Sequence, residues 1–336
     1  MIPVSLAGTA SFMPDAVVDN QFFGISPESR RGGMFRGPDT RHHMSPEETA
    51  ADMIEKAART LCERMNVDPA TDIQLILTNV SLPDLPFTGC GASVSHRLGC
   101  APIRIVDMHN TGCVSFVFMM DLARSLMTTT GAKTALICNA QTSAGRVFAH
   151  PQNRTRPQSA IPGDGCGVGL LVADDHSPVL SIATRSCGAF ADDMLATSEC
   201  GGSYWAPRES AMHLDFTESR IAAIVGRGNR LVPELISEAC ADAGIATSEI
   251  DVLVTNQPNE VFLRNWREAL LLPKEAHVDT YVEHGNLFGA AIPVCLERAE
   301  QTGRLKPGNT VALGGFSHAG DYAAAAIIRW KTSSCG

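Results

Sequence analysis

Apolar positions along the 336-residue chain repeat with two different periods. Short, nearly continuous apolar runs rich in Val, Ile and Leu read as buried strands at 4–10, 73–80, 103–106, 134–139, 179–184, 250–255, 310–315 and 323–330. Between them the spacing changes to three and four. Ala50, Met53, Ile54, Ala57, Ala58 and Leu61 fall on one face of a helix. Ser45-Pro46-Glu47-Glu48 reads as its start, with Ser45 as N-cap, Pro46 at the first helical position and Glu48 closing a capping box. Further helices are expected to end near Leu98-Gly99, to span 114–129, 218–243 and 261–271, and to follow Asn286. A short strand is expected near 277–281, a long polar loop at 140–160, and an irregular stretch up to about Thr217.

Strands alternating with helices predict an α/β fold. The pattern also repeats. Asp72-Ile73-Gln74-Leu75-Ile76-Leu77-Thr78-Asn79 is similar to Asp251-Val252-Leu253-Val254-Thr255-Asn256, and each follows a helix rich in alanine and glutamate. This predicts two similar halves, 1–175 and 176–336, with an active site where their strand ends meet.

Composition removes several alternatives. A net charge of −9 argues against a nucleic-acid surface. No apolar run reaches about 18 residues, so no membrane span is expected. Met1-Ile2-Pro3-Val4-Ser5-Leu6 lacks the basic and apolar regions of a secretory signal. Eleven cysteines without such a signal point to free thiols in a reducing, cytoplasmic setting. Cys-x-x-Cys pairs and zinc-type His/Cys spacing are missing from the sequence, so a metal site is not expected. The 20–44 region carries Arg30, Arg31, Arg36, Arg41, His42 and His43, and reads either as a solvated loop or as an entrance for an anionic carrier.

The stretch Asp107-Met108-His109-Asn110-Thr111-Gly112-Cys113-Val114-Ser115-Phe116 passes from strand to helix at Cys113. A thiol there meets unpaired backbone N–H groups and the positive end of a helix dipole. Both favour thiolate, the nucleophilic form, and so a covalent thioester on Cys113. The alternative is one more buried structural cysteine.

With these residues in place the chain resembles the 3-oxoacyl-(acyl carrier protein) synthase III branch of the thiolase superfamily over nearly its whole length. The resemblance rests on Cys113 at the head of its helix, Gly163-Asp164-Gly165-Cys166-Gly167, Gly285-Asn286-Leu287-Phe288-Gly289-Ala290-Ala291 and Arg304-Leu305-Lys306-Pro307-Gly308. It implies the duplicated thiolase-like fold, layered α-β-α-β-α. It implies acyl transfer from a carrier-protein or CoA thioester to Cys113, then Claisen-type condensation in fatty-acid-like or polyketide biosynthesis. Asn286 would be the active-site asparagine, and the N–H groups of Cys113 and Gly320 the oxyanion hole. No cofactor is implied beyond the phosphopantetheine or CoA arm of the substrate. An acyl carrier protein and a second copy of the chain are the implied partners, with Phe87 reaching across the dimer.

Two departures narrow this expectation. The family's His-Gln-Ala/Pro-Asn motif reads Asn256-Gln257-Pro258-Asn259 here. An asparagine at 256 donates a hydrogen bond but neither accepts a proton nor carries charge. Losing such a group typically costs a factor of ~10² or more in decarboxylation. His284, His318 and His109 are the histidines to weigh as substitutes, with Asp321 placed to orient His318. A Cys113/His318 pair would suit transfer to an oxygen or nitrogen nucleophile, giving an ester or amide. A non-catalytic subunit of a heterodimeric synthase is the remaining alternative. At the entrance, Gly37-Pro38-Asp39-Thr40-Arg41 puts Asp39 where CoA-binding relatives carry arginine, and no tryptophan precedes Trp205. Both favour a carrier-protein arm over CoA. Arg220, Arg227 and Arg230 read as a solvated helix face rather than a carrier-protein contact.

Overall fold

A computed structural model describes residues 2–25, 36–85, 87–109, 111–201, 210–215 and 218–331, without the side chains of 218 and 219. Arg30, Arg31, Pro86, Asn110, Trp205 and Thr217 lie outside the described residues.

The first half begins with β1 (Ser5–Phe12), the small hairpin β2 (Ala16–Asp19) and β3 (Thr40–His43), then α1 (Ala50–Met65), the short turn α2 (Pro69–Asp72) and β4 (Leu75–Val80). It continues with α3 (Gly91–Leu98), β5 (Arg104–Met108), α4 (Ser115–Thr130), β6 (Thr134–Gln141) and β7 (Gly165–Val172). The second half has β8 (Val179–Ser186), the hairpin β9 (Leu195–Thr197) and β10 (His213–Asp215), α5 (Glu218–Asp242), β11 (Val252–Thr255) and α6 (Glu260–Ala269). It closes with β12 (His277–Val278), the turn α7 (Tyr281–His284), α8 (Ala291–Gln301), β13 (Thr310–Ser317) and β14 (Tyr322–Arg329).

Two five-stranded sheets result, ordered β1-β7-β6-β4-β5 and, read from the matching edge, β8-β14-β13-β11-β12. In both, the first two pairings are antiparallel and the last two parallel. Same order, same directions and same helix placement establish the duplication. Helices α4 and α8 lie between the sheets: Phe116, Val117, Met120, Ile292 and Leu296 share one core with Leu77 and Ile137 of the first sheet and Val254 and Leu313 of the second. Helices α1 and α3 cover the outer face of the first sheet, and α5 and α6 that of the second. This is the expected α-β-α-β-α layering. Burying apolar side chains on both faces is why the strands read as continuous apolar runs.

Several local expectations are corrected. Helix α1 starts at Ala50, with Thr49 as N-cap and Asp52 closing the capping box; Ser45 only accepts the Glu48 N–H in a turn. The 140–160 loop contains a π-helical turn, Ala144–Phe148. Tyr281 opens a helical turn rather than extending β12. Arg41 is buried, donating to Asn20 Oδ1 (2.8 Å) and the carbonyls of Pro38 (3.1 Å) and Ala160 (2.6 Å), so it fastens the β3 region instead of forming a charged entrance.

Candidate active site

The ends of β4, β6, β11 and β13 converge on one elbow. After β5 the chain takes two successive left-handed residues, Thr111 (φ 69°) and Gly112 (φ 36°), then a 3-10 turn, Gly112–Val114, and α4. A Cβ at Gly112 would overlap Ser317 Oγ and stand 2.8 Å from His318 Nε2, so glycine lets the elbow rest on the β13–β14 turn. From the other side, Ser115 Oγ donates to the Gly112 carbonyl (2.6 Å), Asn139 Nδ2 donates to Ser115 Oγ (2.6 Å), and Asn79 Nδ2 donates to the Met108 carbonyl (2.9 Å). Such strain and bracing are typical where geometry serves chemistry.

The Cys113 N–H donates to Ser317 Oγ at 3.0 Å. The side chains of Asn256 and Ser317 and the backbone N–H of His318 hydrogen-bond the sulfur. These bonds favour thiolate, but burial acts the other way and is larger, pushing the thiol up to about 12. The expectation of a helix-stabilised thiolate is therefore corrected. Desolvation outweighs the local donors, so the unloaded Cys113 thiol is held toward its protonated form.

Asn256 follows β11 and is almost fully buried. Its Nδ2 donates to the Phe316 carbonyl (3.0 Å) and its Oδ1 accepts the Phe316 N–H (3.3 Å), so it ties β11 to β13 beside the sulfur. His318 sits in the β13–β14 turn with φ 48°, and its Nδ1 lies 3.0 Å from Asp321 Oδ2. Asn286 lines the cavity; its Oδ1 accepts the Phe288 N–H (3.0 Å), its N–H donates to Ile161 (2.9 Å), and its carbonyl accepts from Gly163 (3.2 Å). The Gly163 and Gly285 motifs, far apart in sequence, thus interlock. Asp164 braces the first by accepting the N–H groups of Met44, Ala144 and Gly145 at 2.7–3.0 Å.

Two expected site residues stand elsewhere. Gly320 (φ 96°) donates its N–H to the Ser317 carbonyl at 2.8 Å, closing the turn, and packs toward Leu231 and Arg227. Its donor is spent, so it does not pair with the Cys113 N–H. His284 packs against His42 in a tilted pair, ring centroids 5.2 Å apart, away from the cavity lining, and burial pushes it down to about 4. His109 does line the cavity. Ser317 escaped the sequence reading, because nothing about a lone serine signals that a residue 204 positions away will place its amide against it.

Cys113, Asn256, Asn286 and His318 share one cavity of about 360 Å³. Beyond that polar end its walls are largely apolar, with Leu82, Phe148, Met194, Leu214, Ile224 and Phe262. A thiol at the polar end of an apolar chamber suits an activated acyl group. Among the described residues, no three His, Cys, Asp or Glu side chains cluster as metal ligands, and no helix is long and apolar enough to cross a membrane. The ten described cysteines are free.

Comparison with known proteins agrees with the geometry. Residues 106–188 match the 3-oxoacyl-(acyl-carrier-protein) synthase III family, and residues 240–330 match its C-terminal region. The β-ketoacyl-(acyl-carrier-protein) synthase III of Thermosynechococcus vestitus is 29% identical over 302 residues, covering 88% of each chain. Among solved structures, the 3-oxoacyl-(acyl-carrier-protein) synthase III of Aquifex aeolicus superimposes with a TM-score of 0.83 at 22% identity, over 97% of this chain and 100% of that one. The priming β-ketosynthase of a polyketide biosynthetic pathway gives 0.84 at 19% identity, over 98% and 96%. With the duplicated sheets and the elbow cysteine, these matches establish that the chain belongs to the 3-oxoacyl-(acyl carrier protein) synthase III branch of the thiolase superfamily.

Proposed function

We propose that the protein takes an acyl group from a thioester onto Cys113 and joins it to a carbon nucleophile in a Claisen-type condensation, as an acyltransferase of fatty-acid-like or polyketide-like biosynthesis. One observation carries this reading: Cys113 stands at the polar end of a cavity of about 360 Å³ whose remaining walls are mostly apolar. That chamber can hold an acyl chain out of water while its carbonyl carbon sits at the sulfur. Its N–H is the first oxyanion donor, and in the unloaded protein Ser317 Oγ occupies it. Asn286 is the second polar group near the reacting carbon. Asn256 acts through its bonds to the sulfur and Phe316, holding the thiol in place rather than moving protons.

The donor in this reading is a phosphopantetheine arm of an acyl carrier protein. Asp39 at the mouth motif disfavours the phosphorylated nucleotide of CoA, as read from the sequence. A homodimer is the assembly, with Phe87, 98% exposed, as the contact reaching the second copy. Each protomer is organised as halves 1–175 and 176–336.

Intact-protein mass after incubation with acyl-carrier proteins and acyl-CoAs tests the reading. The expected result is one acyl adduct that is absent in Cys113→Ala, with carrier-bound donors faster than CoA. Malonyl-carrier protein added to the loaded enzyme is then expected to release carbon dioxide with a condensed product. Loading followed by an inert malonyl unit would replace condensation with ester or amide formation. No adduct from any donor would leave a non-catalytic subunit.

A further inference from the structure

We propose that His318, held by Asp321, is the base that takes the Cys113 proton during acyl loading. The inference rests on Cys113 being the acylated residue. It assigns the proton transfer to the β13–β14 turn, not to Asn256 after β11.

The need is concrete. Desolvation holds the Cys113 thiol toward its protonated form, so a base beside the sulfur eases the loss of its proton as the sulfur attacks. Asn256 has no basic nitrogen, and its amide is engaged by both the carbonyl and the N–H of Phe316. His284 lies outside the cavity lining. His318 lines the cavity with Cys113, and its Nε2 edge lies over Gly112, the residue before the nucleophile. Its backbone N–H is already on the sulfur. Its Nδ1 is held 3.0 Å from Asp321 Oδ2, which places the neutral ring's proton on Nδ1 and leaves Nε2 with the free lone pair. The left-handed φ of 48° at a non-glycine residue is tolerated because the Gly320 N–H to Ser317 carbonyl bond closes the turn around it.

The step balances. The Sγ–H proton moves to His318 Nε2 while sulfur bonds the thioester carbon and the carbonyl pair moves to oxygen. That oxygen takes the Cys113 N–H from the Ser317 hydroxyl. Collapse re-forms the carbonyl and breaks the bond to the carrier's sulfur, which leaves with the proton from Nε2. His318 ends neutral, with Asp321 as its positioning residue.

The groups facing His318 are Asp321 in its own turn, Cys113 on the elbow, Tyr322 on β14 with ring centroids 6.3 Å apart, and Arg227 on α5. Arg227 donates to the Ala319 carbonyl (2.8 Å) and pairs with Asp193 (2.5 Å), so its charge is already answered.

Alkylation of Cys113 by iodoacetamide, followed by intact mass from about pH 6 to 9, tests the assignment without any acyl substrate. In the wild type the rate is expected to rise and then level off within this range, as for proton transfer to a side-chain base. In His318→Gln it is expected to be slower by a factor of ~10² at neutral pH and to climb continuously with hydroxide. Asp321→Asn is expected to fall between them, which keeps the test open should His318→Gln fail to fold. Wild-type-like profiles in the soluble variants would overturn the proposal. So would lost acyl loading with unchanged alkylation, since His318 would then position substrate only. A wild type that loads no acyl donor but shows the levelling profile would overturn the acyltransferase reading and leave this proton assignment standing.

Discussion

At the residue scale, one asparagine joins the nucleophile to the second sheet. Asn256 is two things at once: a hydrogen-bond donor to sulfur and the clasp between β11 and β13. Asn256→Ala strands a carbonyl and an N–H of Phe316, itself buried, at about 1–3 kcal/mol each. A loss of roughly 2–6 kcal/mol in urea unfolding is therefore expected. Asn256→His is expected to raise malonyl decarboxylation, read as carbon dioxide release, while lowering stability, because one imidazole does not reproduce both clasp bonds. The asparagine at 256 was plain in the sequence. The clasp was not, since Phe316 is 60 positions away.

At the element scale, loops hold the site by interlocking. Gly285 has φ 69° and ψ −156°, a region nearly closed to other residues, and a Cβ there would overlap the Ile161 carbonyl. Gly285→Ala is expected to cost about 3 kcal/mol or more and to depress acyl loading by moving Asn286, measurable as a lower melting temperature and slower adduct formation. The start of α1 offers a cleaner comparison. Thr49 accepts the Asp52 N–H at 3.1 Å, and the Thr49 N–H donates to Asp52 at 2.8 Å. Thr49→Ala is expected to cost about 1 kcal/mol, and Ser45→Ala less. Both Ser-Pro-Glu-Glu and Thr-Ala-Ala-Asp have capping character. Which one caps depends on where packing against the first sheet begins, at Ala50.

At the scale of the whole molecule, burial of ionisable groups sets the response to acid. His43, His277 and His284 are each pushed down to about 4, mainly by burial. Their ordinary value is about 6.5, so between these limits the unfolded chain binds protons that the fold does not, and stability falls as pH falls. Asp164, pushed up to about 6 by burial, opposes this with one proton. The net of about two protons predicts a loss of roughly 3 kcal/mol per pH unit between pH 6 and 5, read from urea midpoints. His277→Gln is expected to flatten the slope by about one proton. His277 Nε2 lies 3.0 Å from Thr255 Oγ1, a contact invisible to sequence inspection.

The sequence by itself determined the duplicated α/β plan, the elbow cysteine and the asparagine at 256. Those features are carried by local periodicity and by residues adjacent in the chain, where apolar spacing and turn chemistry act directly. Tertiary structure decided the state of the thiol, the engaged amide of Gly320, the displacement of His284 and the place of His318 over Gly112. Each depends on contacts between segments far apart in sequence, and on how completely those contacts exclude water. Desolvation is a property of the packed molecule, and it outweighed the helix-end effect that Cys113 advertised.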